Sequence, residues 1–449
     1  MSKKNAKLEE NKHASGSIYQ LDGRVSIWKA IPYGLQHVLA MFVANLAPIA
    51  LITGAAKPEL TQTEIGWIIQ DAMFIAGLAT LIQIYPLWRI GSRLPIVMGI
   101  SFTFVTVLSV IAANYGYPAV IGTVIAGGVF EGILGLAVRK IAKFIKPIVA
   151  ATVVSGIGLS LLTVGVRSFG GGYTEEFGSL KNLIVATTTL IVVLVWMVVM
   201  KGTTRALSVL VAMVVGYLLA AILGMVDLGA ILEGGILSLP HFMMVVPQFK
   251  TGPLISVMII FLVSAAETIG DTSALAQGGL DRDMTEDEVS GSIAADGFMS
   301  AASGLFGCPP VTSFSQNIGL IALTKVVNRF TIMTGAVVLV LAGFFPVIGN
   351  FLATMPQAVL GGCTIMLFGQ ILVSGMQMIA KCGFTRKNIT IAALSLSLGV
   401  GSTVASESEI WHIFPQIIKD VFSGNAVAVV FVTAIILSYA LPEKMNDEA

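Results

Sequence analysis

Five side chains able to carry charge sit inside stretches that are otherwise hydrocarbon: His37, Glu131, Glu267, Asp271 and Asp296. A carboxylate at the centre of a bilayer is disfavoured by about 2.5–3.5 kcal/mol on insertion scales, so each must face a cavity, find a partner or bind a proton. Glu267 and Asp271 are spaced i and i+4, one turn apart on one helical face, and Gly270 between them leaves room for a ligand or a helix. Carboxylates so placed repel. Protonating one relieves the repulsion, which fits a proton acceptor coupled to substrate. The residues alone leave a second reading open, in which Asp271 bonds backbone or hydroxyl groups and only Glu267 works. Asp296 lies between Ala295 and Gly297, small neighbours that let another element pack against it, and reads as support for a site. His37 follows Gln36, and its imidazole reads as a structural hydrogen bond to a carboxylate or backbone carbonyl rather than as a proton carrier. Glu131, beside Gly132, has no motif near it and reads as a buried hydrogen-bonding residue.

The stretch that these side chains would serve is Ser313 to Lys325, SFSQNIGLIALTK. Just upstream, Pro309 and Pro310 remove two backbone donors and disfavour helix at the residue before each, so Val311 to Ser313 should run extended. Helix can resume near Ser315. From Gln316 to Arg329, 14 residues at about 1.5 Å each cover only about 21 Å, short of a hydrocarbon core of about 30 Å. A helix starting at mid-membrane points unpaired N–H groups and a positive dipole end into the gap, and irregular backbone at that depth is tolerated only in protein or beside a cavity. Gln316 and Asn317 stand at that opening, as substrate contacts or as amides that tie helices together.

These elements belong to a polytopic membrane protein. Hydrophobic residues are 55% of the 449 and charged residues 11%, with a mean hydropathy of +0.89. A net charge of +1 offers no basic stripe for nucleic acid. Cys308, Cys363 and Cys382 are far apart with no nearby His, so neither a disulfide framework nor a metal site is expected. Apolar runs give fourteen spans, in a first half at 26–226 and a second at 253–441, joined by 227–252 and flanked by tails at 1–25 and 442–449. No cleaved signal peptide is visible in the polar first 24 residues. Counting Lys and Arg in alternate loops puts 21 of 26 on the amino-terminal side, against Lys57, Arg167, Lys181, Lys250 and Lys419, which places both termini in the cytoplasm. A cytoplasmic cluster, Arg139, Lys140, Lys143 and Lys146, can meet anionic headgroups. Thr285 and Glu288 fit a capping box. Apolar residues at helical spacing between Glu409 and Asp420 predict a helix lying in the interface or over the protein, bent or broken at Pro415.

The third span of each half, 95–114 and 309–325, carries a Ser-Phe pair: Ser101-Phe102 and Ser313-Phe314. Seven spans per half would insert the second copy upside down, so that the two broken spans face each other and Ser101 and Phe102 oppose Ser313 and Phe314.

At this point the sequence resembles the nucleobase-ascorbate transporters, also called xanthine/uracil permeases. Gln316-Asn317-Ile318-Gly319 through Thr324-Lys325 fits that family's signature Q/E/P-N-x-G-x4-T-R/K/G. A second signature runs from Met355-Pro356 through Gly361-Gly362 and Leu367-Phe368-Gly369 to Ile371 and Gly375. Gln36-His37, the AETIGD run at Glu267, and Ala295-Asp296-Gly297 match in order. The resemblance implies inverted repeats of seven spans, with spans one to four and eight to eleven as a core domain and the rest as a gate, in a homodimer of the plasma membrane. It implies an importer of nucleobases with protons as coupling ion, no other cofactor, and no enzymatic activity. By the same resemblance Glu267 and Gln316 contact the base, with Ser101, Phe102, Phe314 and Ser315 in the surrounding slot. Asp296, His37 and Asp271 support geometry and coupling, and Asn317 holds the motif. Gln at 316 looks like the xanthine and uric acid branch, since an amide offers donor and acceptor to a lactam edge whereas a second acid beside Glu267 would repel it. Ile318, where many purine carriers have Asn, leaves the exact purine open. Uracil carriers of the same family, and anion exchangers sharing the fold, are the rival readings. An exchanger would need cationic binding groups.

Overall fold

In a computed structural model of the protein, the described residues are 17–138, 146–227, 229, 231, 235, 237–404, 411 and 413–442. Arg139, Lys140 and Lys143 of the basic cluster lie outside them, as do Glu409 and Ile410. In chain order come α1 (Ile27–Gly54), α2 (Gln62–Ile84), β1 (Met98–Ile100), α3 (Val105–Tyr115), α4 (Tyr117–Leu136), α5 (Pro147–Phe169), α6 (Leu180–Val199), α7 (Ser208–Ile222) and α8 (Thr251–Leu280). There follow α9 (Glu286–Leu305), β2 (Val311–Ser313), α10 (Ser315–Thr324), α11 (Arg329–Ala342), α12 (Pro346–Ala353), α13 (Gln357–Cys382), α14 (Arg386–Val404), α15 (Gln416–Phe422) and α16 (Ala426–Ala440). Among the described residues six helices are long and apolar enough to cross a membrane, seven if α11 and α12 form one span. The chain is a multi-pass, essentially all-α membrane protein.

Local chemistry accounts for most of the boundaries. The expected capping box opens α9: Thr285 Oγ1 accepts from Glu288 N at 3.2 Å, while Glu288 Oε2 accepts from Thr285 N at 2.8 Å. A second box, Thr61 with Glu64, opens α2. The eleventh apolar run, residues 330–352, reads as one span and is two helices, bent by 83°. Pro346 supplies no donor and holds Phe345 at φ −111°, ψ 97°, so helix cannot pass through it. The predicted surface helix is broken at Pro415, which caps the start of α15; Val421 is buried while Ile413 is 86% exposed.

The break in the tenth span lies where the prolines put it. Residues 311–313 are extended and helix resumes at Ser315. α10 then ends at Thr324, because Lys325 turns left-handed at φ 60°. Its ten residues cover about 15 Å, shorter still than the sequence predicts. The third span breaks in the same way, and the two interruptions pair: β1 and β2 are antiparallel with Met98 opposite Ser313 and Ile100 opposite Val311. All six strand residues are buried.

This register corrects one expectation. Ser101 lies at the far end of the ladder from Ser313, its N–H donating to Pro310 O at 3.0 Å, while Phe314 N donates to Val97 O at 3.0 Å. The antiparallel ladder runs the two Ser-Phe pairs past each other, so neither faces its counterpart. It also sends α3 and α10 away in opposite directions, with their amino-terminal ends turned toward a shared centre.

Glycine seams bring the surrounding helices into backbone contact. A Cβ on Gly135 of α4 would stand 2.3 Å from Ala294 N of α9, and one on Gly297 would stand 2.0 Å from Gly132 N. Neither contact can relax by moving a side chain. Gly135→Ala is therefore expected to destabilise the protein by about 1–3 kcal/mol or more, read as a fall in the detergent-solubilised melting temperature. Gly401→Ala, where a Cβ meets nothing within 4 Å, should leave that temperature nearly unchanged. Equal behaviour of the two variants would refute the close-packed α4–α9 seam.

Candidate functional site

α8 is the element on which the site is assembled. Its 30 residues carry Glu267, Thr268 and Asp271 past both strands. Thr103, one residue beyond the first Ser-Phe pair, donates from Oγ1 to Glu267 Oε2 at 2.6 Å. Ser313 and Ser315, at the second break, donate their hydroxyls to Asp271 Oδ2 at 3.2 and 2.9 Å. The two carboxyls of the i, i+4 pair thus serve different broken spans. Hydroxyl groups hold Asp271, the bonding that one of the two readings of that pair expects.

Asp296 of α9 is the third carboxyl. Its Oδ2 accepts from Thr268 Oγ1 at 2.5 Å and from Ser313 N at 3.2 Å, and lies 3.3 Å from Ser313 Oγ, whose single hydrogen can serve either Asp296 or Asp271. It supports β2 by capping a backbone donor of the strand's outer edge. Gly270, expected to admit a helix or ligand, leaves its space unfilled, since a Cβ there would meet only Met378 Cε at 4.0 Å.

In front of these groups lies a cavity of about 200 Å³. One wall is Ser101, Phe102, Thr103, Glu267, Phe314 and Ser315. The facing wall is Val154 and Ile157 of α5 with Leu367, Gln370 and Ser374 of α13. Phe102 stands edge-on to Phe368 of α13, with ring centroids 5.4 Å apart and planes at 82°. Five of the six residues read as substrate-facing from sequence, Glu267, Ser101, Phe102, Phe314 and Ser315, line this one space. For the sixth, Gln316, the backbone is in the first turn of α10 and the side chain lies outside the described part of the structure.

Asp271, Asp296, His37 and Asn317 stand behind this wall and do not line the cavity. Asn317 is buried and donates from Nδ2 to the backbone oxygen of His37 at 3.4 Å, joining α10 to α1. His37 is itself buried, and its Nδ1 has no partner among the described residues. Glu131 departs further from expectation: both carboxyl oxygens are buried without a hydrogen-bond partner among the described residues.

Sequence alone does not single out Thr103, Thr268, Gln370 or Ser374. Thr103 and Thr268 had a signal, being hydroxyls next to residues already marked, Phe102 and Glu267. Gln370 and Ser374 are polar at i and i+4 on an apolar helix, the same spacing that marks Glu267 and Asp271.

Comparison with known proteins places this arrangement. Residues 28–408 match the profile of a permease family, that of the xanthine and uracil permeases. The xanthine permease of Bacillus subtilis is 31% identical over 430 residues, covering 94% of this chain and 97% of its own. The uric acid permease PucJ of Bacillus subtilis is 33% identical over 408 residues, covering 89% and 90%. The xanthine permease XanQ of Escherichia coli strain K12 is 32% identical over 454 residues, covering 98% and 96%. Among solved structures, the transmembrane domain of the cyanobacterial bicarbonate transporter BicA superposes with a TM-score of 0.60 at 17% identity, covering 91% of this chain and 98% of that domain. Murine solute carrier 26 member A9 gives 0.63 at 12% identity, covering 93% and 68%. At such identities the likeness is one of fold. The sequence matches, spanning nearly the whole chain, go further: the protein belongs to the nucleobase-ascorbate transporter family, the xanthine/uracil permeases, and is a transporter rather than an enzyme.

Proposed function

We propose that this protein is a proton-coupled symporter that imports a purine nucleobase, xanthine or uric acid, by alternating access. The observation that carries the reading is Glu267: a carboxyl on the wall of a small cavity between two broken spans, bonded to one hydroxyl and facing no basic residue among the described lining. A carboxylate there accepts N–H donors from a lactam-bearing ring. Gln316, one residue past Ser315 at the head of α10, offers an amide that reads the adjacent carbonyl and ring nitrogen. Phe102 and Phe314 supply apolar faces suited to a flat heterocycle. Relatives named for xanthine and uric acid support the purine branch. Uracil carriers of the same family remain the alternative. The anion transporters that share the fold would need cationic binding groups, and the described lining offers carboxyl, hydroxyl and amide groups instead.

The finer architecture belongs to the same proposal. Fourteen spans in two inverted repeats are supported by the two broken spans meeting at an antiparallel ladder and by the Lys and Arg bias, which puts both termini in the cytoplasm of a plasma-membrane protein. Spans one to four and eight to eleven, α1–α4 and α8–α12 with their strands, form the core domain, and α5–α7 with α13, α14 and α16 form the gate. The cavity's two walls come from these two groups, so movement of one against the other would open the space to either side. A homodimer is the expected assembly.

Two measurements test the reading. Xanthine accumulation by reconstituted protein should require an inward proton gradient and collapse with a protonophore, and Glu267→Gln should abolish the gradient-dependent component. Normal uptake by that variant with unchanged pH dependence would refute the assignment. Gln316→Glu should weaken competition by unlabelled xanthine by about tenfold, the effect of one mismatched hydrogen bond, while admitting uracil. Identical competition by both bases in wild type and variant would overturn the purine assignment of Gln316.

A further inference from the structure

Glu131 is a buried acid that the transport reading leaves without a task. It sits on α4 with no exposed surface, and neither carboxyl oxygen has a hydrogen-bond partner among the described residues. Across the glycine seam, the backbone of Glu131 and Gly132 abuts Gly297, the residue after Asp296, so closely that a Cβ on Gly297 would stand 2.6 Å from Glu131 C. Asp296 keeps one oxygen, Oδ1, likewise buried and unpartnered, while its other oxygen holds β2 and Thr268. Each of the two acids, on facing helices, has a buried unpartnered oxygen whose need a proton would meet. A protonated carboxyl is a donor, and a carboxylate oxygen accepts.

We propose that Glu131 is a proton-holding group of the transport cycle, the inner member of a Glu131–Asp296 carboxyl pair that stands behind Glu267. This rests on the proton-coupled reading and deepens it. Titratable groups reach Glu131 from two of the helices packed on α4: Asp296 from α9 and Glu267 from α8, with the Ser264 hydroxyl of α8 beside it. Asp271, one turn beyond Glu267, faces Ser313 and Ser315 instead. α3, the third neighbour, carries no acid or base. Among the described residues no Lys, Arg or His forms an ion pair with any of the four acids. Transfer is simple to balance: the O–H bond on Glu131 breaks, an O–H bond forms on Asp296 or Glu267, and the cluster's total charge is unchanged. The site thus stores a proton out of contact with the substrate cavity, on the helix pair α4–α9 that the glycine seam locks together.

The test uses full-length protein in liposomes under an imposed gradient of about one pH unit, worth about tenfold in xanthine ratio per coupled proton. Glu131→Gln keeps size and polarity but cannot release a proton. Its accumulation ratio should fall from about tenfold to near unity, and the pH profile of its uptake should flatten. A wild-type ratio with a wild-type pH profile would show Glu131 to be a structural neutral group and overturn the proposal. Should the Gln variant fail to fold, Glu131→Asp decides: a displaced midpoint in the pH profile supports the proposal, and a profile superimposable on wild type overturns it. If wild-type protein itself shows no gradient-driven accumulation, the symport reading fails first and takes this inference with it.

Discussion

Six strand residues lie buried inside the protein, and the need to bond their main chain shapes everything around them. An unpaired N–H or C=O at that depth costs several kcal/mol, so a broken span survives only if every group finds a partner. Pairing β1 with β2 satisfies one edge of each strand. Helix side chains satisfy the others. Ile100 N donates to Asn45 Oδ1 at 2.6 Å, Met98 N to Thr80 Oγ1 at 2.9 Å, Val311 N to Ser300 Oγ at 3.1 Å and Ser313 N to Asp296 Oδ2 at 3.2 Å. Ser303 closes the approach by donating to Pro309 O at 2.6 Å. The polar residues scattered through α1, α2 and α9 are thus a frame for a two-stranded ladder, and the ladder aims two half-helices at the cavity.

The same economy makes the site hard to separate from its support. Asp296 caps β2, bonds Thr268 of α8 and touches the serine that also reaches Asp271. A change in the charge on one of these acids therefore acts on the strand's backbone, and through Ser315 on the first turn of α10. Charge-assisted bonds are about twice as strong as neutral ones, so protonation alters how firmly the break is held. That is a direct physical route from proton to the geometry of the cavity wall, with no intervening element.

The parts of this arrangement legible in sequence are those fixed by local chemistry. Pro309 and Pro310 dictate extended backbone from Val311, and Thr285 with Glu288 dictates the start of α9. Glu267, Asp271 and Asp296 announce themselves because a carboxyl inside hydrocarbon demands a reason. What sequence does not carry is set by contacts distant in the chain. The register that places Met98, not Ser101, opposite Ser313 depends on side chains from α1, α2 and α9. Thr103 becomes a partner of Glu267 only across 164 positions. Asn317 donates to the backbone carbonyl of His37, a main-chain contact that no motif could reveal. The bend at Phe345 was readable from Pro346 but lay hidden in an apolar run long enough to pass for one span.

Charge arithmetic gives the last constraint. Glu131, Glu267, Asp271 and Asp296 are gathered with no basic partner among the described residues; hydroxyls and one backbone N–H bond three of them, and Glu131 has only the Ser264 hydroxyl beside it. At about 2.5–3.5 kcal/mol each on insertion scales, four bare carboxylates would cost about 10–14 kcal/mol before any mutual repulsion. That equals the whole stability of an ordinary folded domain, about 5–15 kcal/mol. The hydroxyls recover only a part, at about 1.5–3 kcal/mol for each bond to a charged group. Protonating one or more of the four would remove much of that cost, which is the physical ground on which the proposed proton coupling rests.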